Sequence, residues 1–193
     1  MLESISGVVQ KLTPTYAVVT TSGLGFYINI SVNTCEKLRE NTSCVLLLHE
    51  VIREDAFELY GFSDENERSM FRLLISVSGI GANTARVILS KMTPSELASA
   101  ILSSDSATIQ SIKGIGAKTA QRVVLELKDK VSFVEGDEKI VVCQGNTLKI
   151  ESLSALVMLG YQKSAAEKVV DAIMRESVQH SVEDIVKIAL KRL

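Results

Sequence analysis

Gly79–Ala85 reads GIGANTA, and Gly114–Ala120 reads GIGAKTA. The two copies agree at six of seven positions and are offset by 35 residues. Each is Gly-Ile-Gly followed by a helix-forming run, and an apolar, helix-spaced stretch precedes each. The predicted unit is helix, tight glycine hairpin, helix, present twice. Glycines let a backbone turn sharply and approach a ligand closely. The first N–H groups of the following helix have no intrahelical acceptor, and the helix dipole favours an anion beside them. Gly79, Ile80, Gly81, Asn83 and Thr84, with Gly114, Ile115, Gly116, Lys118 and Thr119, are therefore candidate phosphate-gripping residues.

Gly-x-Gly-x-x-Ala also fits a dinucleotide-binding turn, which must follow a strand and open a βαβ unit. Before Gly79, however, Met70, Phe71, Leu73, Leu74 and Val77 recur at helical spacing. Before Gly114, Ile109 and Ile112 are three residues apart. Neither glycine pair follows a strand, so the dinucleotide reading fails. An ordinary helix–helix turn would explain a single copy, because glycine at a helix end is common. A near-identical repeat argues instead for a paired role.

The chain has 193 residues, 46% of them hydrophobic, with no Trp and 5% aromatics, so its cores are expected to be aliphatic. Its net charge of −2 is poor for a nucleic-acid binder, but distribution matters more than the sum. Residues 1–63 carry 4 basic and 7 acidic side chains, whereas residues 64–132, which hold the glycine hairpins, carry 9 and 7. Residues 133–147 carry 1 and 3, and residues 148–193 carry 7 and 6. Cys35, Cys44 and Cys143 are odd in number and lack metal-ligand spacing, which suits reduced thiols in the cytoplasm. No leader pattern opens the chain and no apolar run reaches membrane-span length, so no membrane partner is expected.

The fold class expected is mixed and multidomain. Residues 1–63 read as five strands, Ser4–Leu12, Tyr16–Thr21, Phe26–Ser31, Cys44–Val51 and Phe57–Phe62, in a small OB-type β-barrel. Asn33 is expected to cap a short helix through Arg39. Residues 64–132 read as an all-α tandem helix-hairpin-helix domain. Ser63-Asp64 can cap its first helix, and Thr93-Pro94-Ser95-Glu96 is a capping box with Pro at the first helical position. Residues 133–147 are polar and glycine-containing, the best linker candidate, although Ile140–Cys143 interrupts it. Residues 148–193 read as a three-helix module with Leu153, Leu156, Val157 and Leu159 on the first apolar face. Ser164–Glu167 and Ser181–Asp184 are read as N-caps, and Leu159-Gly160-Tyr161 as a left-handed helix end with Tyr packing back. Such a small module suits protein docking better than catalysis.

Charged side chains sharpen the hairpin reading. Lys113 and Lys118 flank the second glycine pair, with Arg122 one turn on. The first copy has Ser78 and Asn83 at the equivalent places and keeps only Arg86 nearby, so it is expected to be the weaker grip. Phosphate contacts carry no base information, so binding should follow backbone shape. The turn Arg53-Glu54-Asp55 reads as an exposed hairpin tip. With Glu50 and Glu58 it could also be a metal-binding nuclease site, or two carboxylates held against DNA to steer its path. His49 and His180 stand apart with no nucleophile or ligand motif beside them, and no Walker motif is present. No cofactor, metal site or catalytic residue is expected.

A barrel ending in Arg53-Glu54-Asp55-Ala56 and Leu59-Tyr60-Gly61-Phe62, two helix-hairpin-helix motifs, a linker and a tail with Leu159-Gly160-Tyr161 together resemble the RuvA family of bacterial Holliday-junction-binding subunits. The resemblance covers essentially the whole chain. It implies a flat homotetramer with fourfold symmetry whose grooves hold the arms of a four-way junction, with the hairpins on the arm backbones. It implies that Glu54 and Asp55 form an acidic pin at the crossover. It also implies that the tail, through Leu159, Gly160 and Tyr161, docks and stimulates a RuvB-type hexameric ATPase for branch migration in recombination and repair, with a RuvC-type resolvase in a larger complex. Tetramer and face-to-face octamer are both left open. The family often has Pro-Lys after the first Gly-x-Gly where this chain has Ala82-Asn83, so the first hairpin is expected to lack that basic phosphate contact and to keep its backbone N–H cradle, with Asn83, Thr84 and Arg86 as its candidate DNA-binding side chains. The readings carried forward are a non-catalytic junction-binding subunit, a metal-dependent structure-specific nuclease, and a pure protein-binding scaffold, which would leave the repeated hairpin unexplained.

Overall fold

A computed structural model describes residues 1–133, 140–142, 147–176 and 181–192. Strands β1 (Ser4–Leu12), β2 (Tyr16–Thr21), β3 (Leu24–Ile30), β4 (Ser43–Ile52) and β5 (Phe57–Phe62) close into a barrel in the order β1-β2-β3-β5-β4. All neighbours are antiparallel except β3 and β5, which run parallel. Alternate residues point inward: Ile5, Val9, Ala17, Val19, Ile28, Ile30, Leu46, Leu48 and Leu59 form one buried cluster.

Short helix α1 (Val32–Lys37) bridges β3 and β4. Its cap differs from the expectation: Ser31 Oγ, not the Asn33 side chain, accepts from Thr34 N, and the helix stops at Lys37 rather than Arg39. Asn33 is drawn away because its Nδ2 donates to the carbonyl oxygens of Leu89 (2.6 Å) and Met92 (3.2 Å).

Helices α2 (Glu65–Ser76), α3 (Ala82–Lys91), α4 (Pro94–Leu102), α5 (Ser106–Gln110) and α6 (Ala117–Leu127) follow. Asp64 caps α2, and Thr93 with Glu96 forms the capping box of α4, as the sequence predicted. Period-2 alternation lets one strand serve two cores. Leu59 of β5 enters the barrel, while Tyr60 and Phe62 enter the helical cluster with Met70, Phe71, Leu74, Ile88, Leu97, Ile101 and Val123. Phe71 meets His49, Tyr60 and Phe62 with ring centroids 5.4, 5.2 and 4.9 Å away. Each such ring, fully buried, is worth about 1.5–3 kcal/mol. Barrel and hairpin helices accordingly form one compact unit, Met1–Val142.

Within the segment read as a linker, Phe133 and Ile140–Val142 lie in strands. Strand β6 (Val131–Phe133) pairs antiparallel with β7 (Ile140–Val142), and the ribbon lies along α2 and α4. The apolar Ile140–Val142 stretch is what pairs.

The second unit, Cys143–Leu193, holds α7 (Thr147–Met158), α8 (Lys163–Glu176) and α9 (Val182–Ala189) around Leu153, Leu156, Ala166, Val170, Ile173, Ile185 and Ala189. Helix α8 starts at Lys163, so Ser164 sits inside its first turn rather than at the cap; the N–H groups of Ala165 and Ala166 reach Gln162 O instead. Ser181 and Asp184 do form a capping box on α9. His180 lies outside the described residues.

Candidate nucleic-acid interface

Both glycine hairpins have one backbone plan. Gly79 and Gly114 adopt φ of +96° and +93°, the left-handed region that side chains resist. The chain then closes with Ile80 N to Val77 O (3.0 Å) and Ile115 N to Ile112 O (3.1 Å). Ile80 and Ile115 are buried and anchor each turn in the helical core. Gly81 and Gly116 are the N-cap residues of α3 and α6, and neither helix has a side-chain cap. The leading N–H groups therefore remain open to an outside acceptor, and nothing stands within 4 Å of a Cβ built at Gly81 or Gly116.

The two turns are adjacent. A Cβ built at Gly79 would stand 4.0 Å from Thr119 Oγ1, in the first turn of α6. The two uncapped helix starts are thus neighbours in the fold.

Charge is unequal between them. Lys113, Lys118 and Arg122 are exposed. Arg122 Nε pairs with Glu126 Oε1 at 3.2 Å, one helical turn on. Lys113 and Lys118 have no hydrogen bond or ion pair among the described residues. At the first hairpin Asn83 is exposed and uncharged, and Thr84 is half-buried. Arg86 turns away from the hairpin face: its Nη1 donates to Thr15 O (2.7 Å) and Asn29 Oδ1 (3.3 Å) on the barrel. Nothing local in the sequence signals that contact, since 71 residues separate Arg86 from Thr15.

Glu54 and Asp55 form the exposed tip between β4 and β5, closed by Arg53 N to Ala56 O at 2.8 Å. Arg53, Ile52 and His49 line one groove with Ile80, Gly81 and Ala82, so the root of the acidic turn is next to the first hairpin. Among the described residues no group of three or more His, Cys, Asp or Glu could hold a metal ion. Burial pushes the His49 imidazole below its ordinary value, helped by the charges of Arg72 and Arg68. Its ring meets Phe71 edge-on, with 63° between the ring planes.

Sequence reasoning missed the polar bolts between barrel and helices. Arg68, nearly buried, pairs with Glu3 and Glu65 at 2.5 Å each and donates to Glu3 O at 3.1 Å. Glu67, 1% exposed, accepts from Ser31 Oγ and from Thr34 Oγ1 (2.7 Å). The i,i+3 spacing of Glu65 and Arg68 was a visible signal; the partners on the barrel were not.

In the second unit, α7 ends as expected. Gly160 has φ of +97°, Tyr161 N bonds Leu156 O at 3.1 Å, and Tyr161 packs on the small core. Val157, Met158 and Leu159 are 42%, 87% and 59% exposed, so Val157 and Leu159 belong to an apolar lip rather than to the core face predicted for them. Among the described residues no helix is long and apolar enough to cross a membrane.

Comparison with known proteins matches the chain in three blocks. Residues 1–61 match the RuvA N-terminal domain, residues 71–129 a SAM-like helix-hairpin-helix tandem, and residues 151–193 the RuvA C-terminal domain. A Holliday junction branch migration complex subunit RuvA of Christiangramia forsetii is 50% identical, with all of both chains covered. Those of Flavobacterium psychrophilum and Bacteroides fragilis are 45% and 44% identical, again over the full length of both chains. Barrel, hairpin pair and tail each find their counterpart in the same order, and the protein belongs to the RuvA family.

Proposed function

We propose that this chain is the non-catalytic subunit that holds a Holliday junction for an ATP-driven branch-migration complex in recombination and repair. The observation that carries the reading is the pair of uncapped helix starts behind Gly79–Gly81 and Gly114–Gly116, which are neighbours in the fold. Backbone N–H groups grip phosphates without reading bases, so the complex selects shape. Lys113, Lys118 and Arg122 add charge at the second hairpin, and Thr84 and Thr119 lie in the first turns behind the glycines. Glu54 and Asp55 act as the acidic pin, repelling phosphates at the crossover so that strands part there. Four copies surround the junction as a homotetramer, or eight as two facing tetramers, in the cytoplasm. Leu159, Gly160 and Tyr161, with the exposed Val157 and Met158, form the docking end for a RuvB-type ATPase, and a RuvC-type resolvase joins the larger assembly. No observation favours the nuclease alternative.

A gel-shift panel of four-way junction, fork and linear duplex tests the reading. Sequence-independent, salt-sensitive binding with a clear preference for the junction is expected. Equal affinity for all three would overturn it.

A further inference from the structure

The first hairpin has Asn83 where the second has Lys118, and it has a fastening that the second lacks among the described residues. Arg86 sits in the second turn of α3, directly behind GIGANTA, and its Nη1 holds Thr15 O and Asn29 Oδ1. Asn29 passes the contact on: its Nδ2 donates to Leu59 O at 3.2 Å. Leu59 lies on β5, three residues after the turn that carries Glu54 and Asp55 closes at Ala56. The Arg86 charge also reaches Tyr60, the next residue of β5, where it opposes the rise that burial and Glu58 impose on the phenol. At its other end α3 is held by Val32 N to Ser90 Oγ (3.1 Å) and by Asn33 Nδ2 to Leu89 O and Met92 O. The helix behind the second hairpin, α6, has no hydrogen bond to the barrel among the described residues.

We propose that Arg86 is a positioning residue that, through Asn29, locks the first glycine hairpin to the strand bearing the acidic turn and so sets where an arm leaves the crossover. This rests on the junction-holding reading above. The hairpins then divide the work. The second, free of the barrel and cationic, supplies affinity; the first, uncharged at Asn83 and held through Arg86 and the C-terminal end of α3, supplies the angle. An arginine suits this role because its guanidinium is always charged and can donate to two acceptors at once, here Thr15 in the turn between β1 and β2 and Asn29 on β3. A lost bond here leaves duplex contacts intact, because a straight duplex does not pass the pin, and costs only the fit between arm and crossover.

Two full-chain variants test it: Arg86→Met, which removes the donor at similar volume, and Asn29→Ala, which leaves the Arg86 charge in place. Anisotropy titrations measure binding to four-way junction and to linear duplex across a salt series. Energy transfer between dyes on adjacent arm ends reports the arm angle in the complex. Both variants are expected to bind duplex within about twofold of the parent with an unchanged salt slope. Both should lose junction preference by about fivefold to tenfold, the scale of a lost coupling, with a shifted transfer efficiency. A duplex salt slope lowered by about one unit in Arg86→Met alone would make Arg86 a phosphate contact and overturn the proposal. Retained preference and unchanged transfer in both variants would also overturn it. Should Arg86→Met fail to fold, Asn29→Ala decides by the same readouts. A parent chain without junction preference would sink the functional reading itself, which is a different result from variants that match a discriminating parent.

Discussion

Thr34 Oγ1 donates to Glu67 Oε2 at 2.7 Å, joining the barrel's only helix to the first helix of the hairpin region through a carboxylate that is 1% exposed. Ser31 Oγ donates to the other oxygen, and Thr34 Oγ1 in turn accepts from Ser63 N at 3.1 Å. Burial pushes the Glu67 carboxyl above its ordinary value; the two hydroxyl bonds oppose that rise, and the Asp64 charge adds to it. A carboxyl raised in the folded state stabilises fully below its unfolded value, about pH 4.3, and loses that contribution as pH climbs through the folded value. Thermal melts of Glu67→Gln and parent should therefore diverge with pH. The variant's Tm relative to the parent rises as pH climbs above the ordinary carboxyl range. Parallel curves would show that Glu67 is not the group titrating.

Lys118→Ala is expected to weaken junction and duplex binding alike and to lower the salt slope by about one unit, as the loss of one phosphate contact should. Asn83→Ala is expected to change neither slope nor affinity appreciably. Arg122→Ala falls between them, because its guanidinium is shared with Glu126. Equal losses at Lys118 and Asn83 would reverse the ranking of the two grips.

Gly116 separates close approach from fold. Its φ of −82° suits any residue, and nothing stands within 4 Å of an added Cβ. Gly116→Ala should keep stability within about 1 kcal/mol while the methyl meets the phosphate and binding drops. Gly114→Ala, by contrast, forces alanine to φ of +93° and should cost about 1–2 kcal/mol in a denaturant or thermal melt.

Glu54 and Asp55 are exposed and take no part in a core. Neutralising both, as Glu54→Gln with Asp55→Asn, should leave Tm unchanged. Affinity for linear duplex should rise relative to the junction, since the repulsion that disfavours uninterrupted backbone at the tip is gone. A Tm drop without a change in that ratio would assign the pair a structural role.

Met158, 87% exposed at the end of α7, offers an apolar lip with no role in its own core. Met158→Asp should preserve junction binding in gel shifts and reduce stimulation of a RuvB-type ATPase in a coupled hydrolysis assay. Unchanged stimulation would move the docking surface elsewhere.

The sequence by itself determined the elements and the hairpins. Strand alternation, capping boxes at Thr93 and Ser181, the Asp64 cap and the repeated Gly-Ile-Gly are local signals, written within a few residues of where they act. Positive φ at Gly79, Gly114 and Gly160 follows from the same local chemistry. Only the tertiary structure decided what the polar side chains do. Arg86 looked like a DNA contact because its neighbours in sequence are; it faces Thr15 and Asn29 because β5 buries Tyr60 and Phe62 in the helical core and so brings α3 onto the barrel. Asn33 looked like a cap and holds Leu89 and Met92 instead. Glu67 and Arg68, which no local motif singles out, are buried bolts. Hydrogen bonds between residues 33 to 71 apart leave no periodic trace, because their partners are chosen by packing and not by spacing along the chain.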